Sequence, residues 1–136
     1  LFTELTHLKD EMIKQYEKEI LDLIFAIARK IVHCQTRSDE GVVRNTILKA
    51  LKLAAQKGKI IVRVNPEDYD VVEKIRPELI KEFKDIKSIM ITSDHSISRG
   101  GCFLETTGGD IDATVEAQME KVYHSLEQTF FGNECT

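Results

Sequence analysis

Four carboxylates near the C-terminal end of the chain have the side chains best suited to chemistry. They are Asp94, Glu105, Asp110 and Asp112. Carboxylate oxygens are the ligands that Mg²⁺ and Ca²⁺ prefer, so a small metal-dependent enzyme is one interpretation. Asp110 and Asp112 are two residues apart, which places them on the same face of a strand. Asp112 also precedes a helical pattern that it is suited to cap, so capping and solvation explain these carboxylates without a metal.

The histidines and cysteines form no recognisable nucleophilic site. His33 and Cys34 are adjacent, but neighbouring residues of a helix diverge by about 100° and do not face each other. Cys102 lies in a strand-like run, where a small buried hydrophobe is expected rather than a reactive thiolate. The cysteines are odd in number and scattered, without a C-x-x-C pair, at Cys34, Cys102 and Cys135. This usage favours a reduced, cytoplasmic setting.

The two glycine pairs match no phosphate-binding motif. Gly100-Gly101 and Gly108-Gly109 fit neither the P-loop pattern G-x-x-x-x-G-K-[ST] nor the dinucleotide pattern G-x-G-x-x-G. Gly108-Gly109 instead lies between the strand-like runs 102–106 and 110–113, so it predicts a hairpin turn that needs positive φ. Gly100-Gly101 permits a sharp entry or a close approach of two backbones. The residues therefore predict no catalytic site, no metal site and no cofactor, and hence a protein that is not an enzyme.

Composition narrows the classes of partner. The chain has 136 residues, of which 42% are hydrophobic, which suits a single globular domain with a helical extension. Its net charge of −4 argues against nucleic acid as the main partner. No apolar run approaches the roughly 20 residues that a membrane span needs, and no signal peptide is visible. The chain opens with Leu1 rather than Met, so we expect it to be a fragment.

The first segment predicts one long helix from Phe2 to about Cys34. Its apolar residues recur at steps of three and four, close to a heptad seam over the first half. They are Leu5, Leu8, Met12, Tyr16, Ile20, Leu23, Ile27 and Ile31. We expect the first turns to project and to pair with a second copy through Leu5, Leu8, Met12 and Tyr16. Packing of the whole helix on its own domain is the alternative. Burial is expected for 21–32, where apolar residues surround more of the helix.

The middle of the chain alternates helical and extended patterns. Ser38 predicts the N-cap of a second helix that ends near Lys57, with Gly58 after its C-terminus. The lysines on this helix and just after it indicate a face exposed to solvent. The run 59–64 predicts a central strand. Asn65 then serves as an N-cap and Pro66 as the first residue of a third helix.

The third helix contains Pro77, which predicts a break or kink near 75–76. A second strand is expected over 86–93, and 94–99 reads as a polar loop. After the hairpin, apolar residues at a 3.6-residue period predict a terminal helix that starts near Val115. The order indicates an α+β fold. A long helix and a second helix precede a β-α-β-β-β-α domain with a mixed sheet of about four strands. We divide the chain into residues 1–34, a projecting and dimerising helix, and residues 35–136, an α+β domain.

The C-terminal third resembles one known family. The stretches GGCFLET (100–106), GDIDA (109–113) and VEAQM (115–119) look like the C-terminal signature of the FliH family of flagellar assembly proteins, with the related HrpE/YscL proteins of type III secretion. The strand-to-helix junction VNPED (64–68) also fits. The motif positions are taken as structural: Asn65, Pro66, Gly100, Gly101, Cys102, Glu105, Thr106, Gly109 and Asp112. The family's glycine-repeat helical segment is missing from this chain.

The resemblance implies a non-catalytic regulator of the export ATPase. Such proteins form a homodimer that binds the N-terminal region of the ATPase, restrains its hydrolysis and tethers it to the cytoplasmic side of the export apparatus at the inner membrane. By this resemblance the domain 35–136 binds the ATPase, and the missing N-terminal region contacts the export apparatus. Neither nucleic acid nor insertion into the membrane is implied.

Two rival functions stay open at this point. The family is similar to the E-type stalk component of V-type and archaeal ATPases, so a peripheral-stalk component of a rotary ATPase is the first. The E-type component usually has Asn-Thr before the last helix and an Arg within it, whereas Asp112-Ala113 and Gln118-Met119 stand here. The second rival is the metal-dependent enzyme, which requires a concave pocket around the carboxylates.

Overall fold

Four helices and four strands make up residues 1–131, which are the residues described by the computed structural model. Cys135 lies outside them. In chain order the elements are α1 (Phe2–Ser38), α2 (Gly41–Leu53), β1 (Gly58–Val64), α3 (Tyr69–Glu82), β2 (Ile86–Ser93), β3 (Cys102–Thr106), β4 (Gly109–Ala113) and α4 (Val115–Phe131). Two compact units are present, Leu1–Val32 and His33–Thr136. The predicted α+β class and the order of the elements are confirmed.

The four strands form one mixed sheet in the order β2-β1-β3-β4. β1 pairs with β2 in parallel and with β3 antiparallel, and β3 and β4 form an antiparallel hairpin. β1 is therefore an interior strand, as its β-branched sequence predicts. The connection from β1 to β2 runs through α3, which is the crossover that a parallel pair requires.

One face of the sheet carries the hydrophobic core. Ile60, Val62 and Val64 alternate with more exposed residues along β1 and are each at most 1% exposed. Cys102 and Leu104 on β3 and Ile89 and Ile91 on β2 continue this buried face. The helices α2 and α3 cover it with Val43, Ile47, Ala50, Leu51, Val72 and Leu79. Burying these side chains supplies most of the stabilisation of the unit.

The opposite face of the sheet is open. It presents Ser88, Met90 and Thr92 from β2, Lys59, Ile61 and Arg63 from β1, Phe103 and Glu105 from β3, and Asp110 and Asp112 from β4. None of these ten residues is buried. Alternation of side chains in a strand thus separates a covered apolar face from an uncovered mixed one.

The junction between α1 and α2 differs from the prediction. Ser38 does not cap α2, because α1 continues through it, and its hydroxyl donates to the backbone carbonyls of Cys34 and Gln35 at 3.2 Å. Asp39 makes the turn instead, since its carboxylate accepts from the Gly41 N–H at 2.8 Å. No glycine or proline interrupts residues 35–38, so α1 continues to Ser38. The Ser38 hydroxyl bonds to carbonyls of the preceding turn of α1 and is not used to cap the next helix.

The end of α2 also lies earlier than predicted. The helix stops at Leu53, and Ala54 is already extended and buried. Gly58 is therefore not the residue that follows the helix. It is the first residue of β1 and has φ of +49°, a left-handed conformation that glycine adopts without steric cost. In the sequence, Gly58 could either follow a helix or begin a strand. In the structure the helix has already ended at the extended, buried Ala54, so Gly58 begins the strand.

Pro77 does not break α3. The helix runs without interruption from Tyr69 to Glu82, with the proline inside it. The proline has no N–H for the carbonyl four residues earlier, which costs stability in an isolated helix. Val72 and Leu79, at 0% and 2% exposure, bury the helix on both sides of the proline. Tertiary packing therefore outweighs the local cost.

Among residues 1–131, no helix has both the length and the apolar content needed to cross a lipid bilayer.

Candidate functional site

The most prominent surface feature is an apolar stripe along α1. Its eight members are between 51% and 64% exposed, namely Leu5, Leu8, Met12, Tyr16, Ile20, Leu23, Ile27 and Ile31. From the first to the last of them the average step is about 3.7 residues, which keeps the stripe on one side of a nearly straight helix. A contiguous apolar surface of this length is typical of a helix that packs against another helix.

The second half of α1 is less buried than the sequence predicts. Leu21 and Phe25 are buried, but Leu23, Ile24 and Ile27 are each more than half exposed. The expectation of burial for 21–32 is therefore correct only for part of that segment, and the apolar stripe extends through it.

The glycine pair 100–101 marks two close approaches of the backbone. Gly100 has φ of +86°, and a Cβ there would lie 2.6 Å from Cγ2 of Thr36. A Cβ on Gly101 would lie 2.9 Å from Cα of Thr114 and from the backbone nitrogen of Val115. These contacts join the start of β3 to the end of α1 and to the start of α4. Both glycines are thus required by packing, which is the close approach that the sequence predicts.

Arg99 and Asp68 form a clamp that sequence reasoning missed. The Arg99 Nε–H donates to Oδ1 of Asp68 at 3.2 Å, and the Gly100 N–H donates to Oδ2 at 2.8 Å. Asp68 is only 2% exposed. The Arg99 guanidinium also donates to the backbone carbonyl of Arg37, at the C-terminal end of α1. Arg99 therefore joins the loop before β3 to the turn before α3 and to the end of α1. Arg99 and Asp68 are 31 residues apart, so no local pattern reveals them.

The junction after β1 has the predicted Asn65 cap, but Pro66 opens a short turn before the third helix and is not the first residue of α3. The Asn65 side-chain oxygen accepts from the Glu67 N–H at 2.9 Å, and Pro66 opens a single 3₁₀ turn, Pro66–Asp68, that leads into α3. The Asn65 amide also donates to the backbone carbonyl of Ile97 at 2.8 Å. This second bond ties the junction to the loop before β3.

The hairpin places Thr106 and Gly109 opposite each other. The Thr106 hydroxyl donates to the Gly109 carbonyl at 2.7 Å and accepts from the Gly108 N–H. Of the predicted glycine pair, only Gly109 has positive φ, at +124°. The turn is therefore Thr107-Gly108, one residue shorter than predicted.

Cys102 is a core residue rather than a nucleophile. Cys102 is the first residue of β3 and is fully buried. Burial, together with the charge of Asp112, raises the pKa of the thiol to about 12. A thiol with such a pKa carries almost no thiolate at neutral pH. This agrees with the prediction from its strand position.

Two of the four carboxylates of the metal-enzyme interpretation, Glu105 and Asp94, lie against the same arginine. Glu105 pairs with Arg63 at 2.6 Å, and Asp94 lies 3.8 Å from the same guanidinium. Two hydrogen bonds from Ser96 lower the pKa of Asp94, and the bond from the hydroxyl has a larger effect than the bond from the backbone N–H. In the part of the chain that the structure describes, no three histidine, cysteine or acidic side chains are grouped to hold a metal ion.

Asp112 caps α4 only indirectly. Its carboxylate accepts from the backbone N–H and the hydroxyl of Thr114, and the Thr114 hydroxyl in turn accepts from the Ala117 N–H. Thr114 is therefore the N-cap residue, and the predicted role of Asp112 is corrected to that of orienting it. The two residues form one hydrogen-bonded start for the helix.

Comparison with known proteins agrees with these features. The family model for flagellar assembly protein FliH matches residues 1–122. This chain belongs to the FliH family. The assignment confirms the resemblance seen in the hairpin motif and favours the secretion branch over the E-type stalk component of the rotary ATPases.

Individual relatives carry related names. The chain is 34% identical over 104 residues to flagellar assembly protein FliH of Borreliella burgdorferi, a match that covers 76% of this chain and 34% of that protein. It is 26% identical over 119 residues to a type 3 secretion system stator protein of Yersinia enterocolitica, with 88% and 52% covered. A probable flagellar assembly protein FliH of Bacillus subtilis is 21% identical over 117 residues, with 86% and 56% covered. The matches thus span between about a third and just over a half of the length of these relatives.

In this FliH-family chain, two of the histidines lie at one cleft. The cleft has a volume of about 720 Å³ and is lined by His33, Thr36, Arg37, Asn65, Glu67, His95, Ile97, Ser98 and Arg99. His7 and His124 form i,i+4 pairs with glutamates on α1 and α4. The cleft wall is largely the Arg99 clamp and the Asn65 junction, so its residues hold the fold together.

Proposed function

We propose that this chain is the homodimeric, ATPase-binding part of a stator in a flagellar or type III protein export apparatus. The supporting observation is the family match over residues 1–122, together with relatives named as flagellar assembly and type 3 secretion stator proteins. In this role the chain transforms no substrate. It holds the export ATPase at the cytoplasmic side of the inner membrane and restrains its hydrolysis.

The dimer forms through α1. Leu5, Leu8, Met12 and Tyr16 are half or more exposed on one side of the helix, and an apolar surface of this kind is unfavourable in water unless it is covered. Pairing with the same stripe of a second copy removes these side chains from water without any further chain. Charged residues such as Lys9, Asp10 and Glu17 occupy the flanks and the opposite side, which keeps the association in one orientation.

The α+β domain, residues 35–136, binds the N-terminal region of the ATPase. Its paired strands and its clamped loops supply a surface of fixed shape. Segments of the full protein outside this chain make the contacts with the rest of the export apparatus. The proposed division of labour separates dimerisation on α1 from ATPase binding on the domain.

The direct test is co-purification of the chain with the export ATPase of the same organism, followed by measurement of ATP hydrolysis. We expect a stable complex and a hydrolysis rate several-fold lower than that of the free ATPase. A chain that is folded by circular dichroism yet neither binds the ATPase nor changes its rate would refute the proposed role.

The dimer is tested separately by light scattering. Leu8→Glu with Met12→Glu places charges in the stripe and should give monomers, because each buried carboxylate would lack a partner. Lys14→Glu reverses a charge on the opposite side of the helix and serves as the matched control, which should remain dimeric. An unchanged dimer mass for the double variant would contradict the assignment of the stripe.

A further inference from the structure

The open face of the sheet carries large apolar side chains among its charged ones, which is unfavourable for a face in contact with water only. Its apolar centre consists of Ile61 and Phe103 on the interior strands β1 and β3, and Met90 extends it to the edge strand β2. Ile61 is paired with Met90, and Phe103 lies beside Arg63. Met90 is 61% exposed. β1 and β2 are parallel, and parallel strands are normally covered on both faces. Here α2 and α3 cover only one of them.

The charges around this apolar centre are unbalanced. Arg63 is already engaged by Glu105 and Asp94. Asp110 and Asp112 on β4 make no ion pair with any residue between 1 and 131. A molecule that covers the face therefore needs an apolar surface for the centre and cationic groups on the side of β4.

The chain itself carries a segment of that chemistry. Residues 23–31 of α1 contain the exposed side chains of Leu23, Ile24, Ile27 and Ile31. Lys30 lies one turn after Ile27 on the same side of the helix, whereas Arg29 lies on the opposite side, and no aspartate or glutamate occurs anywhere from 23 to 38. By contrast, the first 22 residues of the chain hold six acidic and three basic side chains. The second half of α1 is thus the cationic, apolar half.

We propose that residues 23–31 of α1 in one protomer dock on the open sheet face of a second copy of the chain. The proposal rests on the homodimer of the proposed function and names a second surface within it. Nine helical residues span about 13 Å, and four strands are about 14 Å across, so the two surfaces match in size. Because α1 continues from the stripe at residues 5–16 without a break to Ser38, pairing of the first halves brings the second half of each helix towards its partner.

The apolar part of this contact is tested by Met90→Asp in the full chain. Met90 lies outside the core, so the variant should keep the wild-type circular dichroism spectrum, whereas the dissociation constant of the dimer in sedimentation equilibrium should rise at least tenfold. Leu53→Asp is the matched control. Leu53 is a large apolar residue that is 72% exposed at the end of α2, away from this face, and its replacement should leave the dissociation constant unchanged. Equal constants for wild type and Met90→Asp would overturn the proposal.

Cross-linking identifies the occupant. Differently tagged chains, one with Ile27→Cys and one with Met90→Cys, both in a Cys34→Ser, Cys135→Ser background, are mixed and oxidised. We expect a disulfide-linked pair that carries both tags, and none when Leu53→Cys replaces Met90→Cys. A disulfide formed only within a doubly substituted chain at high dilution would show that the helix covers its own sheet and would refute the proposal. Dimers without any Ile27–Met90 disulfide would refute the docking but leave the proposed function intact, whereas monomeric wild-type chain would remove both.

The charges give an independent test. Asp110→Lys and Lys30→Glu should each weaken the dimer about three- to tenfold at low salt, and the double variant should recover most of the loss, because the pair is restored with reversed sign. Lys18→Glu, on the acidic half of α1, is the control and should show no recovery when combined with Asp110→Lys. Additive losses in the Asp110→Lys, Lys30→Glu double variant would contradict the proposed contact.

Discussion

Replacement of Arg99 by alanine tests whether the clamp on Asp68 holds the α+β unit together. The Asp68 carboxylate is 2% exposed, and its two oxygens are satisfied by Arg99 Nε–H and Gly100 N–H. Without the guanidinium, a buried negative charge keeps one hydrogen bond and loses its counter-ion. The loop 94–101 and the start of α3 would then be joined by the Gly100 N–H bond to Asp68 and by the Asn65 amide bond to the Ile97 carbonyl, without an ion pair.

The magnitude follows from burial. Removing one partner of a buried ion pair costs about 3–5 kcal/mol of the free energy of unfolding. We expect about 3 kcal/mol for Arg99→Ala, at the lower end, because the Arg99 side chain is 21% exposed and the Gly100 N–H remains. The guanidinium bond to the Arg37 carbonyl adds about 1 kcal/mol at most, since neutral acceptors near solvent contribute little. Arg99→Lys should lose less, because it keeps the charge but not the planar donor geometry.

The assay is urea unfolding at pH 7 followed by circular dichroism, for Arg99→Ala, Asp68→Ala and the double variant. The double-mutant cycle should give a coupling energy of about 1.5–3 kcal/mol, because the two side chains share one buried contact. Glu67→Gln is the control. Glu67 lies 3.5 Å from the same guanidinium but is 72% exposed, so its loss should change stability by less than about 0.5 kcal/mol. Additive effects of Arg99→Ala and Asp68→Ala, or a cost for Arg99→Ala no larger than that control, would refute the reasoning.

Three further outcomes are expected. Gly101→Ala should destabilise the chain by about 2 kcal/mol or more in urea unfolding, because its Cβ would lie 2.9 Å from the backbone at Thr114 and Val115; a neutral effect would contradict that contact. Thr114→Ala should cost about 1 kcal/mol and reduce the helical circular dichroism signal, because α4 loses its N-cap, whereas an unchanged signal and stability would assign the cap elsewhere. Burial raises the pKa of Cys102 from 9.0 to about 12, so above pH 9 the unfolded chain releases a proton that the folded chain keeps. Wild type should therefore lose stability relative to Cys102→Ala between pH 9 and 12, by up to about 1.4 kcal/mol per pH unit, and a constant difference across that range would argue against burial of the thiol.

The elements that the sequence predicts correctly are those with strong local signals. The β-branched run 59–64, the Asn65 N-cap and the presence of a glycine-containing hairpin turn between β3 and β4 each carry a composition that allows few other conformations. The wrong predictions fall where local signals compete. Ser38 is a good cap by type but lies in an uninterrupted helix, and Pro77 is a helix breaker held in a helix by Val72 and Leu79 on either side. For Pro77, packing across the core outweighs the local signal.

The sequence by itself determined the order of the elements, the apolar stripe of α1 and the hairpin signature, because each depends on residues close together in the chain. Only the tertiary structure decided that Arg99 reaches Asp68 and that one face of the sheet stays open. Both features depend on the crossover between β1 and β2 and on the return of β3 beside β1, which bring together residues that are far apart in the sequence. The physical reason is that periodicity specifies which side of an element is apolar, whereas the packing of elements specifies which of those sides is covered.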